Sequence, residues 1–184
     1  MKLEGEKIIL RPPRASDAES IYTYAKDREV SRYMTVRFPY PYKRKDAEGF
    51  IKRVAKEWQE KNQKNTIFVI EHLGSKQVIG TIGLKKIDTY NKNAELGYWV
   101  AKKYWRQGIA SEAVKLILDY GFNELNLKRV YAGVFHPNTA SQKLLEKIGF
   151  KHEGTLRKSA RRSEQWFDRL WFGLLKEEYK LNNY

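Results

Sequence analysis

The chain contains no cysteine among its 184 residues. That absence removes disulfide staples, a thiolate nucleophile and cysteine-ligated zinc, and it fits a reducing compartment. Long apolar runs are missing too, since none approaches the ~18 residues of a membrane helix. The first ten residues, MKLEGEKIIL, alternate charged and apolar side chains and lack the apolar centre of a signal peptide. A cytoplasmic location is the expectation. Histidine is scarce, at positions 72, 136 and 152, with no metal-binding spacing such as H-E-x-x-H, so no metal site is expected. Acids are outnumbered, 22 Asp and Glu against 36 Lys and Arg, for a net charge of +14. A field of that sign draws phosphates, nucleic acid or acidic proteins without choosing among them. With no internal repeat, low-complexity tract or linker, residues 1–184 read as a single domain.

Period and punctuation give the elements. Lys7 to Arg11 reads as a strand halted by Pro12 and Pro13. The S-x-x-E spacing of Ser16 and Glu19 predicts a capping box that opens a helix to about Lys26. Pro39 and Pro41 keep the aromatic and basic stretch from Tyr33 to Arg44 irregular. Phe50, Val54 and Trp58 stand at helical spacing in a second helix, Asp46 to Asn62. Three period-two runs follow, Thr66 to His72, Val78 to Lys86 and Asn93 to Val100, and predict an antiparallel meander. Ala110, Ala113, Val114, Ile117, Leu118, Gly121, Phe122 and Leu125 then form the apolar stripe of a helix laid on a sheet. Arg129 to Phe135 is a strand. A helix from Thr139 to Ile148 has Asn138 as its N-cap and Gly149 as its stop. Phe150 to Arg157 and Gln165 to Leu175 read as closing strands joined by a basic connection, Lys158 to Arg162. The order β-α-α-β-β-β-α-β-α-β-β predicts a mixed α/β sheet (α+β), with the 110–125 helix as the crossover between two parallel strands.

The loop ahead of that crossover, Trp105-Arg106-Gln107-Gly108-Ile109-Ala110-Ser111, carries chemistry. A helix N-terminus offers unpaired N–H groups and the positive end of the dipole. Gly108 lets an anion approach the backbone, and the small Ala110 and Ser111 leave the first turn open. A diphosphate suits such a cradle. No Lys-Ser or Lys-Thr follows the glycine, and G-x-G-x-x-G is absent, so neither an NTPase loop nor a dinucleotide fingerprint is present.

Three segments in combination, AELGYWVAKKYWRQGIASEAV, KRVYAGVF and HPNTASQKLLEKIGFKHEGTLR, resemble the GNAT superfamily of acyl-CoA-dependent N-acyltransferases. The chain is most similar to the RimJ/RimL-like branch, which acetylates the N-termini of ribosomal and other proteins. The resemblance follows the element order along essentially the whole chain, and its motifs are specific from residue 94 to 157. It implies the GNAT fold, acetyl-CoA as co-substrate and N-acetyltransferase activity. It also implies that Arg106, Gln107, Gly108, Ile109, Ala110 and Ser111 wrap the diphosphate of coenzyme A. The superfamily pattern Gln/Arg-x-x-Gly-x-Gly/Ala is met except at its first position, where Trp105 stands. Arg106 occupies a position at which the branch more often has a small residue. By the same resemblance, backbone groups of Tyr98, Trp99 and Val100 bind pantetheine like an added strand. Asn138 bonds the arm as well as capping its helix, and Lys143 and Lys147 approach the 3′-phosphate.

Acetylation is attack by a neutral amine on a thioester carbonyl, so the amine must lose a proton and the leaving thiolate must gain one. Glu95 is the candidate base, at a position where many relatives carry a carboxylate; by strand alternation it shares a side with Gly97 and Trp99. Ser141 is the candidate partner for the thiolate. Many superfamily members place a Tyr four residues further on, but this chain has Leu145 there. The structural alternatives are a solvated Glu95 paired with a surface Lys, and a Ser141 bonded to its own helix backbone.

The acceptor groove expected from the resemblance runs along Tyr33 to Tyr42 and Arg157 to Phe167, both basic and aromatic. That composition suits a peptide or acidic protein better than a polyamine. A protein amino terminus also loses its proton more readily, with a pKa of ~7.7–8.0 against ~10.4 for Lys. The expected acceptor is therefore a protein N-terminus, in a monomer or homodimer. Two other readings stay open: acetylation of a small-molecule amine, and a basic RNA- or ribosome-binding protein with a degenerate acyl-CoA site. No RNP or G-x-x-G RNA motif supports the last.

Overall fold

A computed structural model describes residues 1–35, 38–60, 64–162 and 164–181. Its strands are β1 (Leu3–Glu4), β2 (Ile8–Arg11), β3 (Thr66–His72), β4 (Val78–Asp88), β5 (Asn93–Val100), β6 (Arg129–Phe135), β7 (Lys151–Arg162) and β8 (Gln165–Leu175). The helices are α1 (Ala18–Ala25), α2 (Arg28–Ser31), α3 (Arg44–Gln59), α4 (Ile109–Asp119), α5 (Thr139–Ile148) and α6 (Lys176–Leu181). One sheet of order β1-β2-β3-β4-β5-β6-β8-β7 joins the strands, antiparallel except for the β5–β6 pair. This is the mixed α/β sheet expected, with the β3–β4–β5 meander and with α4 as the crossover.

The two faces of the sheet are covered differently. Leu96 and Val100 of β5 join the larger core, with Phe68, Ile82, Leu84, Ile109, Val114 and Ile117. Five residues of α4 are buried there, Ile109, Ala113, Val114, Ile117 and Leu118, and each large apolar side chain contributes about 1.5–3 kcal/mol at most. The opposite face holds a smaller core of Val69, Val78 and Trp99 against Ile21 and Ala25 of α1, Val30 of α2, and Ala47 and Ile51 of α3. Glu95 and Gly97 alternate with the first set, so they face the α1–α3 side together with Trp99, as the sequence predicts.

Several boundaries move. The first helix is not opened by Ser16. A 3-10 turn starts at Ala15, and the Asp17 carboxylate accepts the Arg14 N–H at 2.6 Å while it grips the Arg11 guanidinium at 2.9 and 2.8 Å. Buried Arg11 is thereby taken out of reach of solvent chemistry. In α3 the fully buried positions are Ala47, Ile51 and Val54, with Phe50 and Trp58 at the margin; the helix starts at Arg44, and its expected end at Asn62 lies outside the described residues. The 110–125 stripe is buried as expected, but after Asp119 the backbone loosens into a π turn, Tyr120–Glu124, closed by Leu125 N–H on Tyr120 O at 3.1 Å. The basic run Lys158 to Arg162 is not a connection. It extends β7, past a shift in register between Leu156 and Ala160 where Lys158 takes φ 46. A bulge breaks the period-two pattern, which is why sequence alternation loses the strand at that point.

Candidate active site

β5 and β6 run side by side through Asn93–Arg129, Ala94–Val130 and Glu95–Tyr131, and then part. β5 stays bonded to β4 as far as Val100–Gly80, and β6 to β8 as far as Phe135–Arg169. Each strand is thus held on its outer side while a wedge opens between them past Glu95 and Tyr131.

At its α4 end the chain turns sharply. Arg106 takes φ 60 and Gly108 φ 82, both left-handed. The Trp105 indole donates to Val100 O at 2.7 Å and pins the loop to the end of β5. A Cβ on Gly108 would meet nothing nearer than the Lys7 ammonium at 3.8 Å, so the space over the loop is open. Helix geometry leaves the N–H groups of Ile109, Ala110 and Ser111 without an acceptor inside α4; Glu112 N–H is the first to find one, Gly108 O at 3.0 Å. The Ile109 side chain is buried in the core, so only its backbone can serve a ligand. Arg106 and Gln107 are exposed, and Gln107 donates its side chain to Lys103 O at 3.0 Å. Open N–H groups at a left-handed turn give this loop the geometry of an anion cradle.

One residue of this cradle is not legible in the motif. Lys7, just before β2, places Nζ 2.9 Å from Gln107 O, while its N–H donates to Glu112 Oε1 at 2.9 Å. Gly5 makes that reach feasible, because a Cβ there would collide with the Glu112 carboxylate. Lys7 sets a cation beside the open N–H groups, a hundred residues upstream of the loop it serves.

On the α5 side, Asn138 caps its helix by accepting the Ser141 N–H at 3.2 Å. The Ser141 hydroxyl is not bonded back to the helix; it lies 2.8 Å from the Tyr98 phenol of β5. Burial pushes the Tyr98 pKa up to about 12, with the Ser141 hydrogen bond opposing the shift. Tyr98 therefore keeps its proton at neutral pH. The family resemblance engages only the Tyr98 backbone, and no local pattern predicts a contact between residues 43 positions apart. Lys143 and Lys147 are exposed on α5.

Across the wedge, Glu95 is 22% exposed and pairs with Lys86 at 2.6 Å. It stands beside Tyr131, whose pKa rises through burial first and the Glu95 charge second. The face that continues from there is cationic and aromatic. Lys85 Nζ lies over Gly97, 3.0 Å from where a Cβ would be. The Tyr131 and Trp171 rings lie 5.6 Å apart, and Phe135 stacks on Phe167 at 5.3 Å. At the far rim Arg162, 9% exposed, donates to Thr35 O and Phe38 O at 2.9 and 2.8 Å. It ties the β7–β8 hairpin to the irregular segment after α2, the two stretches expected to border the acceptor. Trp166 is 56% exposed at the hairpin end, and no group of His, Asp or Glu among the described residues is arranged to hold a metal.

The comparisons with known proteins agree with this geometry. The model for the acetyltransferase (GNAT) domain matches residues 7–151. Uncharacterized N-acetyltransferase p20 of Bacillus licheniformis is 38% identical over 96% of this chain and 97% of its own length. The crystal structure of a GNAT-family acetyltransferase from Bacillus anthracis superposes with a TM-score of 0.82 at 28% identity, covering 97% of this chain and 100% of that one. The chain belongs to the GNAT acetyltransferase family and is an acetyl-CoA-dependent N-acetyltransferase.

Proposed function

We propose that this enzyme acetylates the amino terminus of a protein or peptide, by direct attack in a ternary complex. Acetyl-CoA supplies the activated acetyl group, and this chain supplies the groups that hold and deprotonate. The open N–H groups of residues 106–111, with Lys7 beside them, hold the diphosphate. The main chain of Tyr98 to Val100 faces the wedge and receives the pantetheine arm as a strand would. From the α5 side Asn138 bonds the arm and Lys143 approaches the 3′-phosphate. Glu95 takes the proton of the attacking amine, directly or through water. Of the paired hydroxyls of Tyr98 and Ser141 one donates to the other, and the hydrogen left over bonds the sulfur that leaves.

The observation that carries the choice of acceptor is the charge of the face beyond Glu95. Among the described residues, the carboxylates whose charges act on Tyr131 and Arg129 of this face are Glu95, Asp88, Glu153 and Glu178. Each is already engaged, Glu95 with Lys86, Glu153 with Arg129, Glu178 with Lys151 and Asp88 with Asn91. A polyamine carries several positive charges and needs acids to hold it, whereas here it would meet the Arg169 guanidinium. The names of relatives point both ways. A Bacillus subtilis relative, 36% identical over 101 residues, is named a putative ribosomal N-acetyltransferase, YdaF. The spermidine N(1)-acetyltransferase of Escherichia coli is 30% identical over 155 residues.

The test is turnover of a panel of N-terminal peptides and of spermidine with acetyl-CoA, read as free CoA. Peptide turnover exceeding spermidine turnover is the expected result. Turnover of spermidine with none on any peptide would overturn the protein-acceptor reading.

A further inference from the structure

Arg169 of β8 is held in an unusual way. Its guanidinium lies over the Phe135 ring at 5.7 Å and the Trp171 ring at 5.8 Å. It can lie flat on the sheet because residue 133 is glycine: a Cβ there would come within 2.9 Å of Arg169 Cδ and 3.2 Å of the Trp171 ring. The side chain is half-buried, and among the described residues no carboxylate lies within ion-pair distance of it. Aromatic faces fix the plane of a guanidinium while leaving its N–H edge to bond elsewhere. A surface arginine kept for solubility needs no such cage.

Its place matters as much as its pose. Gly133 is two residues beyond Tyr131 on β6, about 7 Å along the strand, and Tyr131 is the register partner of Glu95. Arg169 therefore sits on the acceptor face of the wedge, roughly two residues from the candidate base. One residue of extended peptide spans about 3.3–3.6 Å. An acceptor whose amine reaches Glu95 brings the side chain of its next residue to the guanidinium.

The geometry points to Arg169 as a specificity residue that binds a carboxylate of the acceptor, so that the preferred substrates are amino termini with Asp or Glu at the second position. This rests on the protein-acceptor reading and narrows it. A planar guanidinium with free N–H groups binds a carboxylate by two parallel hydrogen bonds.

The first measurement uses the unaltered enzyme with two peptides that differ only in Glu against Gln at position two. A kcat/KM ratio of roughly 10–100 in favour of Glu is expected for a charge-assisted hydrogen bond. Arg169→Gln should bring that ratio close to one, and Arg169→Lys should restore part of it, the planar fork being lost but the charge kept. Equal turnover of the Glu and Gln peptides by the unaltered enzyme overturns this inference and leaves the protein-acceptor reading standing. Turnover of spermidine with none on either peptide overturns both. A ratio unchanged in Arg169→Gln assigns the preference to another residue and also overturns it.

Discussion

The two sides of the wedge are built from different materials. The α4 and α5 side is mostly main chain, with helix N-termini, a left-handed glycine and an asparagine cap, joined by the Lys7 ammonium and the Tyr98–Ser141 hydroxyl pair. The β6 and β8 side is made of side chains, with Arg169 lying over Gly133 between Phe135 and Trp171 and with Arg162 tying the hairpin to the segment after α2. On the reading proposed here, main-chain donors recognise what every reaction of the family shares, the diphosphate and the arm of the donor, and side chains on a pleated surface recognise what differs, the acceptor. A substitution should therefore disturb one half-reaction far more than the other.

Glu95 lies between the sides, and its loss should be the largest effect. We expect Glu95→Gln to lower kcat by about 10²–10⁴-fold with little change in acetyl-CoA affinity, and to alter the pH–rate profile. A profile unchanged from the native enzyme would remove Glu95 from the role of base, and would cast its pairing with Lys86 as a solvated ion pair. Gly108→Val tests the main-chain side alone. A β-branched residue at φ 82 costs on the order of 1–3 kcal/mol of strain. The Kd for CoA, measured calorimetrically, should rise about 5- to 100-fold, with the ranking of acceptor peptides unchanged. A changed ranking would contradict the division of labour.

The smallest expected effect is on stability in alkali. The Tyr98 phenol is raised to about 12 by burial, above its ordinary ~10. Between those values the native state holds a proton that the unfolded chain has released, so stability falls as pH rises through the window and is unaffected below it. Tyr42, also raised to about 12 by burial, adds to the fall. Urea melts at stepped pH should show a shallower decline for Tyr98→Phe than for the native chain. Equal slopes would mean that the Tyr98 phenol is not protected inside.

The same division explains what the sequence made legible. Local rules suffice for the main-chain side. A stripe at helical spacing, a glycine before it and an asparagine at a cap gave α4, α5 and the loop, because each signal lies within a dozen residues of what it predicts. Side-chain constellations depend on register. Nothing in the spacing of residues 135, 169 and 171 reveals that their side chains converge, since β8 must first pair with β6. Lys7 reaches Gln107 only after β2 has docked beside α4, and Tyr98 meets Ser141 only after α5 has folded back. The bulge that hid the true length of β7 has the same origin, a local change of period with no local marker except Lys158 in a left-handed turn.

The wedge has a thermodynamic meaning for the cycle. A sheet of eight strands that divides between its fifth and sixth members is two smaller sheets sharing three residue pairs and a crossover helix. On the reading proposed here, the pantetheine arm mends that seam when it arrives and reopens it when it leaves. The enzyme would then be most cohesive with donor bound, and product release would part the seam once in every turnover.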